Sequence, residues 1–207
     1  MADLDGLTLN IRAELIEPTP GFWSPVEIKK WINEAYRELV LAAKLEATPA
    51  TLVTVAGTEL YALAADFGEI IMIERLLDNN RYVPLLPLSS SFRLVDQSRP
   101  VGYSIYAGQL QLTPVPDDVY TLRYRYYKVG VDLVAGSDVP VLDSMYHKLI
   151  EWYAVAKAKQ KADDSAYRVY LDDYNEGRQK MLTTLKDQRQ GPRFSQIRDV
   201  DAEMDSQ

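Results

Sequence analysis

The sequence predicts an α+β protein: a helical bundle formed by the N- and C-terminal segments, with an antiparallel β-rich region inserted between them. Three observations predict it. Residues 1–48 and 129–187 hold apolar side chains at spacings of three and four, the period of one helix face. Residues 49–128 hold short alternating runs punctuated by turn residues, the pattern of strands with one buried face. No crossover helix separates those runs, so hairpins and antiparallel pairing follow. Residues 188–207 form an extended polar C-terminal tail that cannot build a core by itself.

The first helix is expected over Leu7 to Glu17, with Leu4, Leu7, Ile11 and Leu15 on one face. Pro18, Pro20 and Gly21 stop it. The second has the clearest start. Ser24 can cap it, Pro25 suits the first helical position, and Glu27 completes a capping box. Its stripe is Ile28, Ile32, Ala35, Leu39 and Ala42, with Trp31 and Tyr36 at the margins, and it ends near Leu45, before Pro49.

In the middle, Thr51 to Val55 and Thr58 to Leu63 are strand-like runs around Ala56-Gly57. Glu69 to Leu77 and Arg81 to Leu86 flank Asp78-Asn79-Asn80, whose side chains tolerate left-handed turns. Leu88 to Val95 is read as a short helix. Tyr103 to Tyr106 and Gln109 to Thr113 flank Ala107-Gly108, a two-residue hairpin. The strongest strand is Val119 to Tyr127. Tyr120, Leu122, Tyr124 and Tyr126 point one way, and Thr121, Arg123 and Arg125 the other.

The third helix begins near Leu142 or Asp143, with Tyr146, Leu149, Ile150, Tyr153 and Ala154 as its stripe. A break at Ala162-Asp163-Asp164 leads to a fourth, carrying Tyr167, Leu171, Tyr174, Met181 and Leu185. So short a break makes the two antiparallel neighbours. Gly177 inside the fourth helix costs about 1 kcal/mol relative to alanine.

Composition narrows the function. The 207 residues suit one domain, or one domain with an insertion, and 47% apolar residues suffice for an ordinary core. No stretch approaches the roughly 18 uncharged apolar residues of a membrane span. Met1 to Asn10 lacks the basic segment of a signal peptide. Cysteine is absent, which removes disulfides, thiolate metal sites and a thiol nucleophile. The formal net charge is −7, and the nearest basic cluster is Arg123 and Arg125 with Lys128, so no phosphate-neutralising stripe exists for sequence-specific DNA binding.

Catalytic constellations are missing. The single histidine, His147, would have to serve any Ser-His-Asp triad, and reads instead as a packed or surface residue. Glu34 with Glu38, or Asp163 with Asp164, are the carboxylate pairs a glycosidase would need. Nothing apolar lies between Glu34 and Glu38 to raise either pKa, so they read as a solvated face. No phosphate-binding glycine loop occurs. The expectation is a protein that is not an enzyme and needs no cofactor or metal. Tyrosine is unusually frequent, 14 residues. Most suit a core, whereas Tyr127 with Arg123 and Arg125 suits a subunit or tail interface, because tyrosine combines an apolar body with a polar tip.

Several stretches, in order, resemble the head-to-tail adaptor (connector) family of tailed bacteriophages. They are Trp31-Ile32-Asn33-Glu34-Ala35-Tyr36-Arg37, then Gly102-Tyr103, Gly108 and Leu110 to Pro116, then the Tyr120 to Tyr126 strand, then Leu142 to Ala154 with His147 and Ile150. The resemblance reaches to about Lys186. It implies a virion protein at the head–tail junction that assembles with copies of itself as a ring, twelvefold, below the portal protein. The ring would extend the channel through which DNA passes without sequence-specific binding, with tail or tail-completion proteins beneath it. It also implies that the C-terminal tail meets the portal, here through Phe194 and Ile197 as apolar anchors and Arg193 and Arg198 as charged contacts. Two other readings stay open from the residues alone: another virion tail or collar binding component, and a virion-borne cell-wall glycosidase using Glu34 and Glu38.

Overall fold

The computed structural model describes residues 2–190 except 78, 79, 90, 93 and 95. The described residues form an α+β structure with four α-helices and two β-sheets.

Helix α1, Leu4–Glu14, starts earlier than the spacing alone predicts because Asp3 caps it: its carboxylate accepts the Gly6 N–H at 2.8 Å. Leu4, Leu7 and Ile11 are buried. The helix closes before Glu17 because Ile16 adopts a left-handed backbone, φ 56°. The Glu17 carboxylate instead accepts the Phe22 N–H at 2.5 Å and pairs with the buried Arg12 at 3.3 Å. Helix α2, Pro25–Ala43, carries the predicted capping box, with Ser24 and Glu27 satisfying each other's backbone N–H groups. A left-handed Lys44 ends it. Tyr36, placed at the margin by sequence, is instead almost completely buried. Ala43 rather than Ala42 completes the buried stripe.

The strands are β1 Ala50–Val53, β2 Leu60–Tyr61, β3 Phe67–Leu76, β4 Tyr82–Pro84, β5 Leu86–Pro87, β6 Gly102–Tyr106, β7 Gln109–Thr113 and β8 Thr121–Lys128. Two predicted hairpins form: β3–β4, and β6–β7, where Ala107 (φ 49°) and Gly108 (φ 76°) make the two-residue turn. A single sheet of hairpins does not form. There are two four-stranded sheets, ordered β1-β8-β3-β4 and β2-β7-β6-β5, and the β5–β6 pair is parallel. Ala56-Gly57 is not a hairpin turn but the point where the chain changes sheets. Gly57 (φ 77°) donates its N–H to the Pro116 carbonyl at 2.8 Å, so the β1–β2 link runs beside the β7–β8 link. The Tyr61 hydroxyl fastens this corner, accepting from Val55 N at 3.1 Å and donating to the Thr58 carbonyl at 2.9 Å. The described residues of the 88–95 segment are not helical. That segment lies on the path that brings β6 back parallel to β5, and the Leu88 N–H donates to the Tyr103 carbonyl of β6.

A 3-10 turn, Ser144–Tyr146, capped by Asp143, leads into α3, His147–Lys161. Helix α4, Tyr167–Gln190, follows and runs slightly past the predicted start of the tail. Two pairs fix α3 and α4 as antiparallel: Tyr153 against Tyr174, with ring centroids 5.1 Å apart, and Leu149 against Gly177. A Cβ on Gly177 would stand 2.4 Å from Leu149 Cδ2, so this glycine lets the helices approach, which offsets its propensity cost.

Two apolar cores result. One gathers side chains of all four helices with Leu133 and Leu142, and the other lies between the sheets around Ile73, Leu110, Leu112, Leu122, Tyr124 and Tyr126. They meet where α2 ends. Lys128 N donates to the Leu45 carbonyl at 2.7 Å and Ala47 N to the Tyr126 carbonyl at 3.0 Å. The irregular connection 129–143 is pinned along its length. Buried Asn33 donates to the Leu133 carbonyl at 3.1 Å and accepts the Leu133 N–H at 2.8 Å.

Replacing Ser24 by alanine removes the cap of α2 and should cost about 1 kcal/mol in urea unfolding. Gly68→Ala should cost about 1–3 kcal/mol by overpacking. Its Cβ would stand 2.8 Å from the Tyr127 carbonyl oxygen, which is backbone of the neighbouring strand and cannot swing aside. A Gly68→Ala protein as stable as the wild type would contradict this packing.

Candidate functional site

Strict alternation along β8 turns Leu122, Tyr124 and Tyr126 into the sheet core and leaves Thr121, Arg123 and Arg125 on the opposite face. The three residues singled out there by sequence, Arg123, Arg125 and Tyr127, are thus brought onto one face. Each already has an intramolecular partner. Arg123 Nε and Nη2 both donate to Glu74 Oε2, at 3.0 and 2.7 Å, from the adjacent strand β3. Its guanidinium also lies 3.8 Å from the Tyr82 ring centroid, a cation–π contact from β4. Arg125 pairs with Glu46 at 2.5 Å, just after α2. The Tyr127 ring lies between Lys44, 5.3 Å away, and Arg189, 5.9 Å away in the last turn of α4. Arg189 also donates to the carbonyls of Ala43 and Lys44. This face therefore clamps the ends of α2 and α4 to the sheet.

Beside the clamp is a small hollow of about 140 Å³, walled by Leu41, Gly68, Tyr127 and Val129. At the other end of α2 a groove of about 290 Å³ runs past Val26, Lys29, Lys30, Arg37 and Asp132. A third depression, about 450 Å³, is lined by Leu76, Leu77, Asn80 and the 118–121 stretch.

Half of the 14 tyrosines are buried, in agreement with a mainly structural use of this residue: Tyr36, Tyr61, Tyr103, Tyr124, Tyr126, Tyr153 and Tyr174. Burial, and then the hydrogen bond from its hydroxyl to Asp66 at 2.8 Å, push the Tyr126 phenol up to about 12. Burial likewise raises Tyr153, whose hydroxyl donates to Glu34 Oε1 at 2.5 Å, and Tyr174, which lies against Glu38.

Those contacts correct the solvated reading of Glu34. It is half-buried, in the seam between α2 and α3. Glu38 is exposed and stands 3.2 Å from Arg178 Nε of α4. The two carboxylates are spent on different helices. Asp164 pairs with Lys159 at 3.0 Å and accepts the Ala166 N–H, which holds its carboxyl below the usual range. His147 is 4% exposed, with Nε2 at 3.1 Å from the Leu142 carbonyl, so it is a packed histidine. Arg193, Phe194, Ile197 and Arg198 lie outside the described residues.

The sequence reading missed the outer face of α2. Val26, Lys30, Arg37 and Leu41 form a second stripe opposite the buried one, with Val26 76% and Leu41 65% exposed. Its signal was legible: Val26 and Leu41 each stand four residues from a cation, Lys30 and Arg37, on a face that the core does not use.

Glu34, Glu38, Asp164 and His147 Nε2 are thus engaged within the fold, and the class defined by the comparison with known families is a structural one. The family model described as SU10 adaptor protein matches residues 2–197. The chain belongs to this family of phage head-to-tail adaptors, structural components of the virion. No curated protein matches the chain. Among the described residues no helix is long and apolar enough to cross a membrane.

Because the Tyr126 pKa is raised on folding, its contribution to stability is complete below about pH 10 and is lost as pH climbs through about 12. Urea unfolding across that range should show stability falling with pH, and Tyr126→Phe should make the fall shallower. An unchanged slope in the variant would remove Tyr126 from the account.

Proposed function

We propose that the protein forms a ring, twelvefold, between the portal and the tail of the virion and extends the channel through which DNA enters and leaves the head. The observation that carries this reading is the adaptor family match over residues 2–197, nearly the whole chain. The residue chemistry is consistent with it. The four helices share one core and act in the proposal as a rigid bundle, from residues 1–48 and 129–187, that carries the inserted β-rich region 49–128. The net charge of −7 per subunit suits a channel wall that lets DNA slide rather than grips it, wherever acids line the bore.

In this proposal the tail 188–207 meets the portal, with Phe194 and Ile197 as anchors and Arg193 and Arg198 as charged contacts. Scattered apolar residues in a polar segment can order on a partner and meet the entropy cost at that moment. The face of Arg123, Arg125 and Tyr127 is assigned to contacts with neighbouring subunits or tail proteins. Arg123 and Arg125 retain enough exposure for that after their internal pairing.

The purified chain mixed with the portal of the same phage should give ring-shaped complexes by electron microscopy. Truncation after residue 190 should abolish binding to the portal and leave the fold intact by circular dichroism. A full-length chain that stays monomeric and ignores the portal would overturn the proposal.

A further inference from the structure

We infer that the outer face of α2 is the socket for α4 of a second copy of the chain, so that each subunit presents two different surfaces to its two neighbours. The inference rests on the ring reading above and names the surfaces that build the ring.

The α2 face has the character of an interface, with Val26, Lys30, Arg37 and Leu41 all exposed among the described residues. Val26 and Leu41, 76% and 65% exposed, stand at its two ends. Lys30 and Arg37 lie between them, and Lys29 lines the adjoining groove. Arg37 pairs with Asp132, the one carboxylate of that groove. Lys29 Nζ donates to the Val134 carbonyl, and Lys30 has no ion pair among the described residues. The groove is therefore net positive in a protein whose formal net charge is −7. The pinned connection beside it adds the exposed side chains of Val131 and Val134. A valine followed one turn later by a free cation fits a helix that carries a valine followed one turn later by a carboxylate.

The chain offers one such surface on its opposite side. Tyr174 and Met181 of α4 face the helical core, so the far side of α4 displays Val169, Asp172, Asp173 and Glu176. Val169 is 61% exposed. Asp172 and Asp173 have no ion pair among the described residues, whereas Glu176 pairs with Lys180 at 2.5 Å. Val26 precedes Lys30 by the same interval that separates Val169 from Asp173, so a parallel docking sets Val26 on Val169 and Lys30 against Asp173, while Arg37, already paired with Asp132, falls opposite Lys180, already paired with Glu176. The two surfaces cannot coincide. Within one chain Glu38 of α2 meets Arg178 of α4, which places α4 along a flank of α2 with its acidic side turned away. A contact between two unlike surfaces is head-to-tail, and it closes into a ring when the rotation per subunit divides a full turn. Charge matching at the rim mainly sets partner choice and encounter rate, while the valines supply the apolar contact.

The absence of cysteine makes the test clean. Lys30→Cys and Asp173→Cys proteins, mixed under conditions where the wild type assembles, should join through a short bismaleimide into a dimer containing one of each. Packed helices bring facing side chains within such reach, with axes about 8–10 Å apart. Each variant alone should give no such product, and the double variant should give a ladder of multimers. Lys30→Glu, and separately Asp173→Lys, should each weaken assembly by about tenfold or more, and mixing the two reversed proteins should restore it. Assembly that continues without this cross-link and ignores the charge reversals would overturn the inference and leave the ring reading standing. Cross-linking of Lys30→Cys to itself, or to the portal, would overturn it in favour of a symmetric contact or a portal contact. A chain that stays monomeric with and without the portal overturns both.

Discussion

The strand Thr121–Lys128 carries the heaviest constraint in this protein, because its two faces answer to different parts of the molecule. One face has to fill the core between two sheets. The other holds charged side chains that tie the sheet to its neighbours. Period-two alternation allows both only if β8 keeps its facing, since a shift of one residue would bury Arg123 and Arg125 and expose Tyr124 and Tyr126. The two register shifts of the β3–β8 pairing are taken up on β3, between Phe67 and Glu69 and between Ile70 and Met72. The register is held by β1 on one side and β3 on the other, and Arg123 and Glu74, opposite one another across β8 and β3, convert it into an ion pair.

The end of the same strand carries the second constraint. Past Tyr126 the strand stays paired with β3 and takes up, along its other edge, the segment that follows α2, and the turn at Lys44 receives Arg189 from α4. Three distant parts of the chain therefore converge on Tyr127. The two apolar cores meet along backbone hydrogen bonds and cation–π contacts rather than through one continuous apolar interior. Such contacts hold orientation through several directional interactions, each individually modest. A structural adaptor of the virion has use for that kind of rigidity.

Acidic composition has a structural side as well. Glu17, Glu27, Glu34, Glu46, Glu74 and Glu151 each meet a cation, a backbone N–H or a tyrosine hydroxyl across an element boundary or at a cap. Charges without an ion pair among the described residues include Lys30 on α2 and Asp172 and Asp173 on α4. In the proposed ring, unpaired charges of opposite sign on two different helices would discriminate between correct and incorrect neighbours.

Much was legible from the residues alone. Ser24, Pro25 and Glu27 specified the start of α2 because a capping box is local chemistry. Ala107-Gly108 specified its hairpin because few residues tolerate two consecutive left-handed positions. The alternation from Tyr120 to Tyr126 specified which side of β8 is buried. Other features depended on contacts far apart in the chain. Ala56-Gly57 looks like a hairpin turn but joins two sheets, because β1 and β2 find better partners in β8 and β7 than in each other. Leu88 to Val95 has apolar spacing suited to a helix, yet it serves the return to a parallel strand. Glu34 looked solvated until Tyr153 arrived from another helix. Local capping, turn and alternation rules act within a few residues and can be read from sequence. Strand partners, buried hydrogen bonds and the uncovered side of a helix are settled only when distant segments compete for the same surface.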